Sequence, residues 1–594
     1  MADDEIVSFL ELVGSRMSAQ DRFLLGVDRA HGSHKPISRI DAAYNDAAGV
    51  TAAFTLNGLS NVNRVAGLDF NEDCWRHIAK YDEKSRSIIT HLEAVQPQAV
   101  HNENGQLIRA FEKGEQIFME RSGKFELSDI LKIADATGLV VSQHWSCNDY
   151  IIVEMKRDFY AQWLSRSRQL FMELIGEANL HKRPIDLRNP YIFYLGHNPA
   201  FADIKQLQLQ GSAPEYYRKH FERGIDPDVD DQICHHSHTK LLEQMPSAGE
   251  LNSYEEHVCN SLKEQWLEKG ATYSEEGIMN IEHTMMHHET LLYMVAEDQD
   301  AFVPQNFITN KSEAPKAIDS FVAGGNIQLG ASQADRTNLG FVWDNEAPAC
   351  EVPVADFSVR SHPVTNAQFR CFVEDKGYTD AKYWASPEEC QWAQKALHGK
   401  PLRWQWNDSA QDGLLIRTPF SGHVDMAVAA HWPAHVTLAE AMAYCRWLGN
   451  GARVMREEEY HMIFNAAAKD MGQALSLTRS GTYRRSALNG NNNFKHMSPT
   501  TVGSMDDAPS EAMPVFDLVG NGWEWSSSEF APFPGFQPMS SYPEYSTDFF
   551  DGKHFVCLGA SMFTNLQLTR PSFRNFFQRR YPYVIAKFRL VWDA

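Results

Sequence analysis

Short apolar runs alternate with helix-like stretches along the first 156 residues. Residues 23–28 read FLLGVD, an apolar run that ends in an acid, and this pattern predicts a strand. Residues 150–155 read YIIVEM and predict a strand that closes the same segment. A helix-like stretch follows the first of these runs, so the segment is expected to combine helices and strands.

The hydrophobic period changes near residue 157. Three stretches over 159–175, 254–269 and 275–296 carry apolar residues at helical spacing, which indicates a helical bundle. From about residue 325, Trp, Tyr, Gly, Asn and Pro become frequent, which is typical of a loop-rich domain with short strands. The sequence therefore predicts an α+β multidomain protein with domains at 1–156, 157–300 and 325–594 and a linker at 301–324.

Composition narrows the range of partners. The chain has 594 residues and a formal charge of −22, from 77 acidic and 55 basic residues, which argues against nucleic acid or an anionic membrane as partner. No apolar run approaches transmembrane length, and the acidic N-terminus MADDE lacks the features of a signal peptide. Nine scattered cysteines indicate reduced thiols, so a cytoplasmic location is expected.

Residues 281–289, IEHTMMHHE, hold the most informative chemistry. His283 and His287 are four residues apart on a predicted helix, so both side chains point from one face and could bind one metal ion. His197, in the sequence LGHNP, is a candidate third ligand, and imidazole suits iron, copper, zinc or nickel alike. The alternative is that these histidines pair on a polar helix face. Glu289 points away from His287 and is expected to support the structure rather than to bind the metal.

A second histidine cluster lies at 234–238, with the sequence CHHSH after the acidic run 226–231. Cysteine and histidine in one loop could bind a metal ion, but a genuine site needs a fold that brings four ligands together. The ordinary interpretation is a solvated loop.

The last segment resembles the formylglycine-generating enzyme family, also called sulfatase-modifying factor. The resemblance rests on the order of VTNAQF (364–369), AMAYCRW (441–447), VMREEEY (454–460), VGNGWEW (519–525) and KFRLV (587–591). It implies a C-type-lectin-like domain. Copper-dependent members use a pair of cysteines near the C-terminus, but no cysteine follows Cys557 here, so that chemistry is not expected.

A histidine-bearing bundle placed before such a domain resembles the iron-dependent sulfoxide synthases of ergothioneine biosynthesis. Their bundle is a DinB-like four-helix domain whose motif is a histidine, three residues, a histidine, one residue and a glutamate, and residues 283–289 match it. The resemblance implies that His197, His283 and His287 bind Fe(2+). It also implies a non-haem iron oxidoreductase that joins hercynine and cysteine with dioxygen to give a sulfoxide.

The same resemblance suggests further site residues. Tyr542 or Tyr545 would deliver a proton or hydrogen atom, and the sequence does not decide between them. Substrate would lie against Met286, Asn575, Phe576 and Phe577. Bacterial relatives that use γ-glutamylcysteine have Trp and Asp after this Asn, so the two phenylalanines favour free cysteine as the thiol donor.

The first segment resembles the C-terminal half of histidine-specific trimethyltransferases, which make hercynine, and this resemblance implies a partial Rossmann-like α/β segment. The resemblance rests on AYNDAAGVTAAF (43–54), HIAKY (77–81) and GEQIFMERS (114–122). By resemblance, histidine would be bound by Asn45, Tyr81, Glu120 and Ser122. The strand at 23–28 corresponds to the middle of the family sheet, so a remnant or a truncated form is expected, and S-adenosylmethionine would bind only to a complete domain.

Several positions depart from the family patterns. Gly-Gly-Ser-Trp becomes GASM at 559–562, and Lys587 replaces a glycine, which could distort a pocket or weaken activity. Two alternatives therefore stay open: a histidine methyltransferase, or an inactive homologue that binds a full-length enzyme. The sequence also leaves open whether the chain forms a homo-oligomer.

Overall fold

The computed structural model describes most of the chain, namely residues 3–222, 228–230, 245–298, 313–314, 316–410, 413–420, 422–470, 490–505 and 514–594. The chain divides into two compact units, residues 1–17 with 21–158, and residues 18–20 with 159–594. The cysteine and histidine cluster at 234–238 lies outside the described residues. Within them, no helix has the length and apolar character needed to cross a membrane.

The first unit combines helices with antiparallel strands. Its helices are α1 (Asp3–Arg16), α2 (Ile37–Tyr44), α3 (Val50–Ala66) and α4 (Leu127–Ala136). Its strands are β1 (Phe23–Asp28), β2 (Trp75–Asp82), β3 (Ser87–Ala94), β4 (Gln98–His101), β5 (Leu107–Phe111), β6 (Gln116–Gly123), β7 (Leu139–Ser146) and β8 (Tyr150–Arg157). The predicted strands at 23–28 and 150–155 are thus present.

Strand pairing shows how the first unit closes. The sheet orders are β1-β8-β7, β2-β3-β6 and β4-β5, and every ladder among these strands of the first unit is antiparallel. Strand β8 therefore lies between β1 and β7, which brings the two predicted runs into one sheet. A doubly wound sheet has parallel strands, so the Rossmann-like description applies to this segment only as a partial sheet. Its apolar side packs on α1 and α4 through a core that includes Leu10, Ile130 and Val153.

The second unit begins with the predicted helices. They are α5 (Phe159–Ser167), continued by a π-helical turn Arg168–Ile175, then α6 (Tyr191–Ala202), continued by the π-helical turn Asp203–Leu207, α7 (Ser212–Phe221), α8 (Ala248–Glu268) and α9 (Glu275–Glu297). Helices α5 and α6 each pack against both α8 and α9. Four helices thus surround a common interior, as the helical spacing predicts.

The two long helices have clear N-terminal signals. Ser274 caps α9, because its hydroxyl accepts a hydrogen bond from the Gly277 amide at 3.1 Å. Two glutamates in the first turn of α9 favour the positive end of the helix dipole. Helix α8 begins with a capping box formed by Ser247 and Glu250. These local signals explain why both helices begin where they do.

The remaining chain is rich in short elements. Its helices are α10 (Gln333–Leu339), α11 (Asn366–Glu374), α12 (Pro387–Ala396), α13 (Met426–Ala429), α14 (Leu438–Leu448), α15 (Glu457–Asp470) and α16 (Glu544–Thr547). Its strands are β9 (Asp319–Val322), β10 (Gly325–Leu329), β11 (Cys350–Val354), β12 (Phe357–Arg360), β13 (Trp404–Trp406), β14 (Leu414–Thr418), β15 (Gly422–Asp425), β16 (Arg453–Val454), β17 (Gly522–Glu529), β18 (His554–Ala560), β19 (Asn575–Gln578), β20 (Ala586–Lys587) and β21 (Leu590–Asp593).

These strands form small sheets around a large core. The sheet orders are β10-β11, β16-β21-β12-β9, β13-β14-β15 and β19-β18-β17-β20. The core between them includes Phe357, Tyr460 and Val556, all essentially buried. Strand β9 pairs with β12, so the sheet already begins inside the predicted linker at 301–324. The mixture of helical and sheet elements confirms the predicted α+β multidomain class.

Candidate metal centre

Helices α6 and α9 bring three histidines together. His197 lies on α6, and His283 and His287 lie one turn apart on α9. One ring nitrogen of each lies within 4.8 Å of the others, and the Nε2 atoms of His283 and His287 are 3.2 Å apart. Two nitrogens bound at about 2.1 Å to one ion, at right angles, lie roughly 3 Å apart. The arrangement therefore suits one shared transition-metal ion.

The charge state of the three rings fits a metal site. Burial lowers the pKa of His197 to about 4, although its hydrogen bond to a backbone carbonyl opposes this. Burial, reinforced by the charges of neighbouring imidazoles, lowers the pKa of His283 and of His287 well below the ordinary value. All three rings are therefore neutral near pH 7, and neutral imidazole is the form that binds a metal ion.

A backbone carbonyl orients His197. The Nδ1–H of His197 donates to the carbonyl oxygen of Phe221 at 2.6 Å, which leaves its Nε2 free to face the other histidines. The preceding residue, Gly196, makes this possible, because a Cβ there would lie 2.6 Å from the Phe221 ring. A glycine one residue before the ligand thus lets α7 approach α6 closely.

We expect Gly196→Ala to weaken metal binding about 10- to 100-fold, the usual cost of disturbing a group that orients a ligand. The added methyl group displaces Phe221 and with it the carbonyl that holds His197. Iron titration of the apoprotein measures the change in affinity. Gly249→Ala is the matched control, because Gly249 is also helical and its added Cβ meets no atom within 4 Å. If Gly196→Ala and Gly249→Ala bind iron with equal affinity, Gly196 is not needed to position His197.

Aromatic rings enclose two of the histidines. Phe201 stacks on His283 with ring centroids 3.6 Å apart and planes 6° apart. Phe193 stacks on His197 at 5.3 Å. Both histidines are 4% exposed, so water reaches them poorly. This stacking fixes the planes of the two imidazole rings and excludes water from one face of the histidine cluster.

The cluster opens toward His287. His287 and its neighbour Met286 are half-buried, whereas the other two histidines are buried. The buried ring of Tyr194 lies 5.4 Å from that of His287. A substrate would therefore approach past His287 and Met286.

The two predicted tyrosines both lie near the histidine cluster. The hydroxyl of Tyr545 lies 3.6 Å from Met286 Sδ, and its ring stacks on Trp343 at 4.0 Å. Tyr542 packs edge-on against Phe201, the ring that covers His283. Burial, aided by the charges of Asp344 and Glu346, raises the pKa of Tyr545 well above its ordinary value, so this phenol keeps its proton.

Hydrogen bonds of Glu289 connect α9 to the sheet that contains β17 and β18 and to the residues that follow β18. Its carboxylate accepts hydrogen bonds from Trp523 Nε1 at 2.7 Å, from Thr564 Oγ1 at 2.8 Å and from Ser561 Oγ. All its partners are protein donors, so it supports the structure, as its position on the helix predicts. Burial raises the pKa of Glu289, and the three hydrogen bonds oppose that rise.

A second acid of α9, Glu282, forms a buried ion-pair network. Arg570 donates to Glu282 at 2.6 and 2.9 Å and also to Glu346. Trp343, the ring that stacks on Tyr545, donates its Nε1–H to Glu282 at 2.9 Å. The network therefore connects the helix that carries His283 to the segment that holds Tyr545.

Strand β19 carries three of the four predicted substrate residues, and the fourth, Met286, lies on α9. Phe576 lies 6.2 Å from the Tyr545 ring and stacks on Phe530 at 4.1 Å. Phe577 stacks on Tyr581 with ring centroids 5.4 Å apart. Asn575 is half-buried, and its Oδ1 accepts from the Phe576 amide at 3.0 Å. Of these predicted residues, Phe576 has the direct contact with the tyrosine pair.

Comparison with known proteins agrees with this order of domains. Residues 1–155 match the family model of SAM-dependent histidine-specific methyltransferases, and residues 305–594 match that of sulfatase-modifying factor enzyme 1-like domains. Ergothioneine biosynthesis protein 1 of Neurospora crassa is 28% identical across 99% of this chain and 76% of its own length. The chain is a relative of the fungal ergothioneine biosynthesis proteins.

Two further relatives support this placement. Ergothioneine biosynthesis protein 1 of Schizosaccharomyces pombe is 26% identical across 98% of this chain and 77% of its own length. Hercynine oxygenase of Mycolicibacterium smegmatis is 28% identical across 73% of this chain and 97% of its own length. The predicted fusion of a methyltransferase-type segment with an oxygenase-type segment is thus confirmed.

The predicted histidine-binding residues of the first unit lie around sheet β2-β3-β6. Tyr81 and Ser122 both pair with Ile88, and Glu120 is two residues before Ser122, so these three side chains share one face. Asn45 donates to the carbonyl oxygen of Ala79 at 2.9 Å, two residues from Tyr81. The structure brings the four residues to one region, and their role in binding histidine stays a prediction.

The lysine that replaces a family glycine is accommodated rather than disruptive. Lys587 is fully buried, and its Nζ lies 3.1 Å from Glu524 and donates to the Gly522 carbonyl at 2.5 Å. Arg589 pairs with the same glutamate at 2.8 Å. Lys587 therefore fits at this position, because its charge is paired inside a buried network with Glu524 and Arg589.

Several residues near the cluster carry no local signal in the sequence. Arg188, Arg570 and Trp343 are separated from the histidine motif by tens to hundreds of residues, and no motif includes them. Glu282 gives an indirect signal of this network. It is an acidic residue among the apolar positions of α9, and a buried carboxylate requires a hydrogen-bonded or charged partner.

Proposed function

We propose that His197, His283 and His287 bind one iron(II) ion and that this chain is a sulfoxide synthase of ergothioneine biosynthesis. The observation that carries the proposal is the convergence of three neutral imidazoles beside a tyrosine pair. The relatives named ergothioneine biosynthesis protein and hercynine oxygenase support the same activity. The free thiols of the described cysteines fit a cytoplasmic location, which we also propose.

The reaction would join hercynine and a thiol with dioxygen. The C–H bond of the imidazole carbon and the S–H bond of the thiol are replaced by a C–S bond. One oxygen atom remains on sulfur as the sulfoxide, and the other leaves as water with the two hydrogens. Iron(II), when bound by three imidazoles, would leave coordination positions open and supply the activation of dioxygen.

The chain's own residues would orient and protonate the reactants. Phe193 and Phe201 hold the imidazole planes and exclude water on one side, so substrates meet the cluster on the side of His287. We propose Tyr545 as the proton donor, because its phenol stays protonated and its hydroxyl lies at Met286, beside His287. Trp343 fixes the ring of Tyr545 by stacking.

Reconstitution tests the proposal directly. The purified full chain is loaded with iron(II) without oxygen, mixed with hercynine and cysteine, and then exposed to air. Mass spectrometry should detect hercynylcysteine sulfoxide only when iron, both substrates and oxygen are present. Zinc-loaded protein is the control, because zinc fills the same ligand set without redox chemistry. If a chain with stoichiometric iron forms no product, the proposed function is wrong.

We expect free cysteine to be preferred over γ-glutamylcysteine by at least about tenfold. Phe577 is apolar and stacks on Tyr581, so it offers no charged partner to the longer substrate. The loss of one charge-assisted hydrogen bond costs about 1.5–3 kcal/mol, which corresponds to roughly tenfold or more. Competition between the two thiols at equal concentration, measured by product mass, checks this. The preference for cysteine should become smaller in Phe577→Asp. It should persist in Phe549→Leu, because the ring of Phe549 packs against His554 and Phe576. A dominant γ-glutamyl product in the unsubstituted chain contradicts the prediction.

A further inference from the structure

Arg188 is a half-buried cation beside the histidine cluster. Its Nε–H donates to the hydroxyl of Tyr581 at 3.0 Å, and its guanidinium lies 5.5 Å and 5.7 Å from the ring centroids of Tyr581 and Tyr293. In the part of the chain that the structure describes, no carboxylate forms an ion pair with it. Phenol groups compensate the charge of a guanidinium only partly. The guanidinium has five N–H donors, so those that face neither Tyr581 nor Tyr194 can bind a ligand.

Tyr194 connects Arg188 to the cluster. The guanidinium of Arg188 also interacts with the hydroxyl of Tyr194, and the ring of Tyr194 lies 5.4 Å from that of His287. His287 is the half-buried member of the cluster. Arg188 therefore borders the side from which a ligand would reach the metal ligands.

Tyr581 connects Arg188 to the predicted substrate strand. The Tyr581 ring accepts the stacking of Phe577, a residue of β19, while its hydroxyl accepts the bond from Arg188. The guanidinium thus lies between the histidine cluster and the strand that begins at Asn575. A cation without a protein counter-charge at this position lowers the cost of burying an anion.

We propose that Arg188 binds the α-carboxylate of an amino-acid substrate next to the histidine cluster. The inference rests on the proposed function and adds a carboxylate subsite to it. A guanidinium can bind a carboxylate through two parallel hydrogen bonds, which also fixes the orientation of the substrate. Both hercynine and cysteine carry an α-carboxylate, so the binding experiment must distinguish them.

Calorimetry on the full iron-loaded chain without oxygen provides that distinction. The probes are cysteine, cysteamine, hercynine and decarboxylated hercynine, and the two decarboxylated compounds retain the thiol or the trimethylammonium imidazole. Arg188→Gln should weaken binding of one carboxylate-bearing probe about 10- to 100-fold and change its decarboxylated partner less than about twofold. The affected pair identifies which substrate the arginine binds, and Arg188→Lys should recover part of the loss because it retains the charge.

Arg166→Gln is the matched control. Arg166 also belongs to the second unit and lies over an aromatic ring, that of Phe494 at 4.0 Å, so its removal tests the loss of a guanidinium as such. We expect it to leave all four affinities unchanged. If Arg188→Gln changes acid and decarboxylated probes equally, or changes neither, the carboxylate subsite is wrong. If the unsubstituted chain binds neither hercynine nor cysteine, the proposed function is wrong as well.

Discussion

Replacing His283 by alanine should abolish stoichiometric iron binding and sulfoxide formation together. His283 supplies one of three nitrogens, and its Nε2 lies 3.2 Å from that of His287. Two imidazoles alone bind a divalent ion far less tightly. Loss of a group that only orients a ligand already costs up to about a hundredfold in affinity, so loss of a ligand should cost at least that much. Iron content after gel filtration and product formation by mass spectrometry measure the two effects in the same sample.

His288→Gln provides the matched control for this prediction. His288 directly follows His287 on the same helix and is buried like His283. Its Nε2 lies 3.2 Å from Ser167 Oγ and does not face the other histidines. Glutamine can retain a hydrogen bond to that hydroxyl. The control should keep its iron, and an iron-replete, active His283→Ala protein shows that the cluster is not the metal site.

The sequence predicts the local parts of this site because their signals are local. The spacing of His283 and His287 places both rings on one helix face, and the structure has them there. Helical periodicity predicts α9 to within one residue at its C-terminal end. His197 has a weaker signal: the sequence LGHNP makes it one candidate third ligand, and only the resemblance to the family assigns it to the metal.

The contacts that fix the position of α9 could not be predicted. Glu282 meets Arg570 across 288 residues of sequence, and Glu289 meets Trp523 across 234. Such pairs depend on the packing of distant elements, which periodicity does not report. Lys587 is a second example. The sequence shows that a lysine replaces the family glycine, but only the structure shows that its side chain pairs with Glu524.

Helix α9 uses two faces for two tasks. Glu282 and Glu289 are seven residues apart, so both point to the same side, where Arg570 and Trp523 bind them. His283 and His287 project from a different face toward α6. The acids hold the helix at both ends of the histidine pair. The precision of the metal site therefore depends on contacts outside the four-helix bundle.

Arg570→Met should destabilise the second unit by about 3–5 kcal/mol, the usual cost of removing one partner from a buried ion pair. Burial alone would lower the pKa of Arg570, but the charges of Glu282 and Glu346 outweigh it and raise it, so the guanidinium is charged in the folded protein. Its removal leaves two buried carboxylates without a counter-charge. Urea unfolding of the full chain, followed by tryptophan fluorescence, measures the loss.

The destabilisation caused by Arg570→Met should become smaller as the pH falls from 8 to 5. Burial raises the pKa of Glu282 even though the charge of Arg570 opposes that rise. Without Arg570 this pKa rises further, so the folded variant holds a proton that the unfolded chain releases, and its stability decreases as the pH increases. Adding Glu282→Gln and Glu346→Gln to Arg570→Met should recover most of the stability at pH 8, because no uncompensated charge remains. A deficit that does not depend on pH contradicts the ion-pair explanation.

Arg574→Met separates stability from metal binding. Arg574 forms a comparable buried pair with Glu457 at 2.8 Å, but neither residue belongs to the network around α9. We expect similar destabilisation in Arg574→Met with unchanged iron affinity. Arg570→Met should lose iron affinity as well, since its partner Glu282 directly precedes His283. Equal iron affinity in the two variants, measured below the onset of unfolding, means that the network stabilises the fold without positioning the metal ligands.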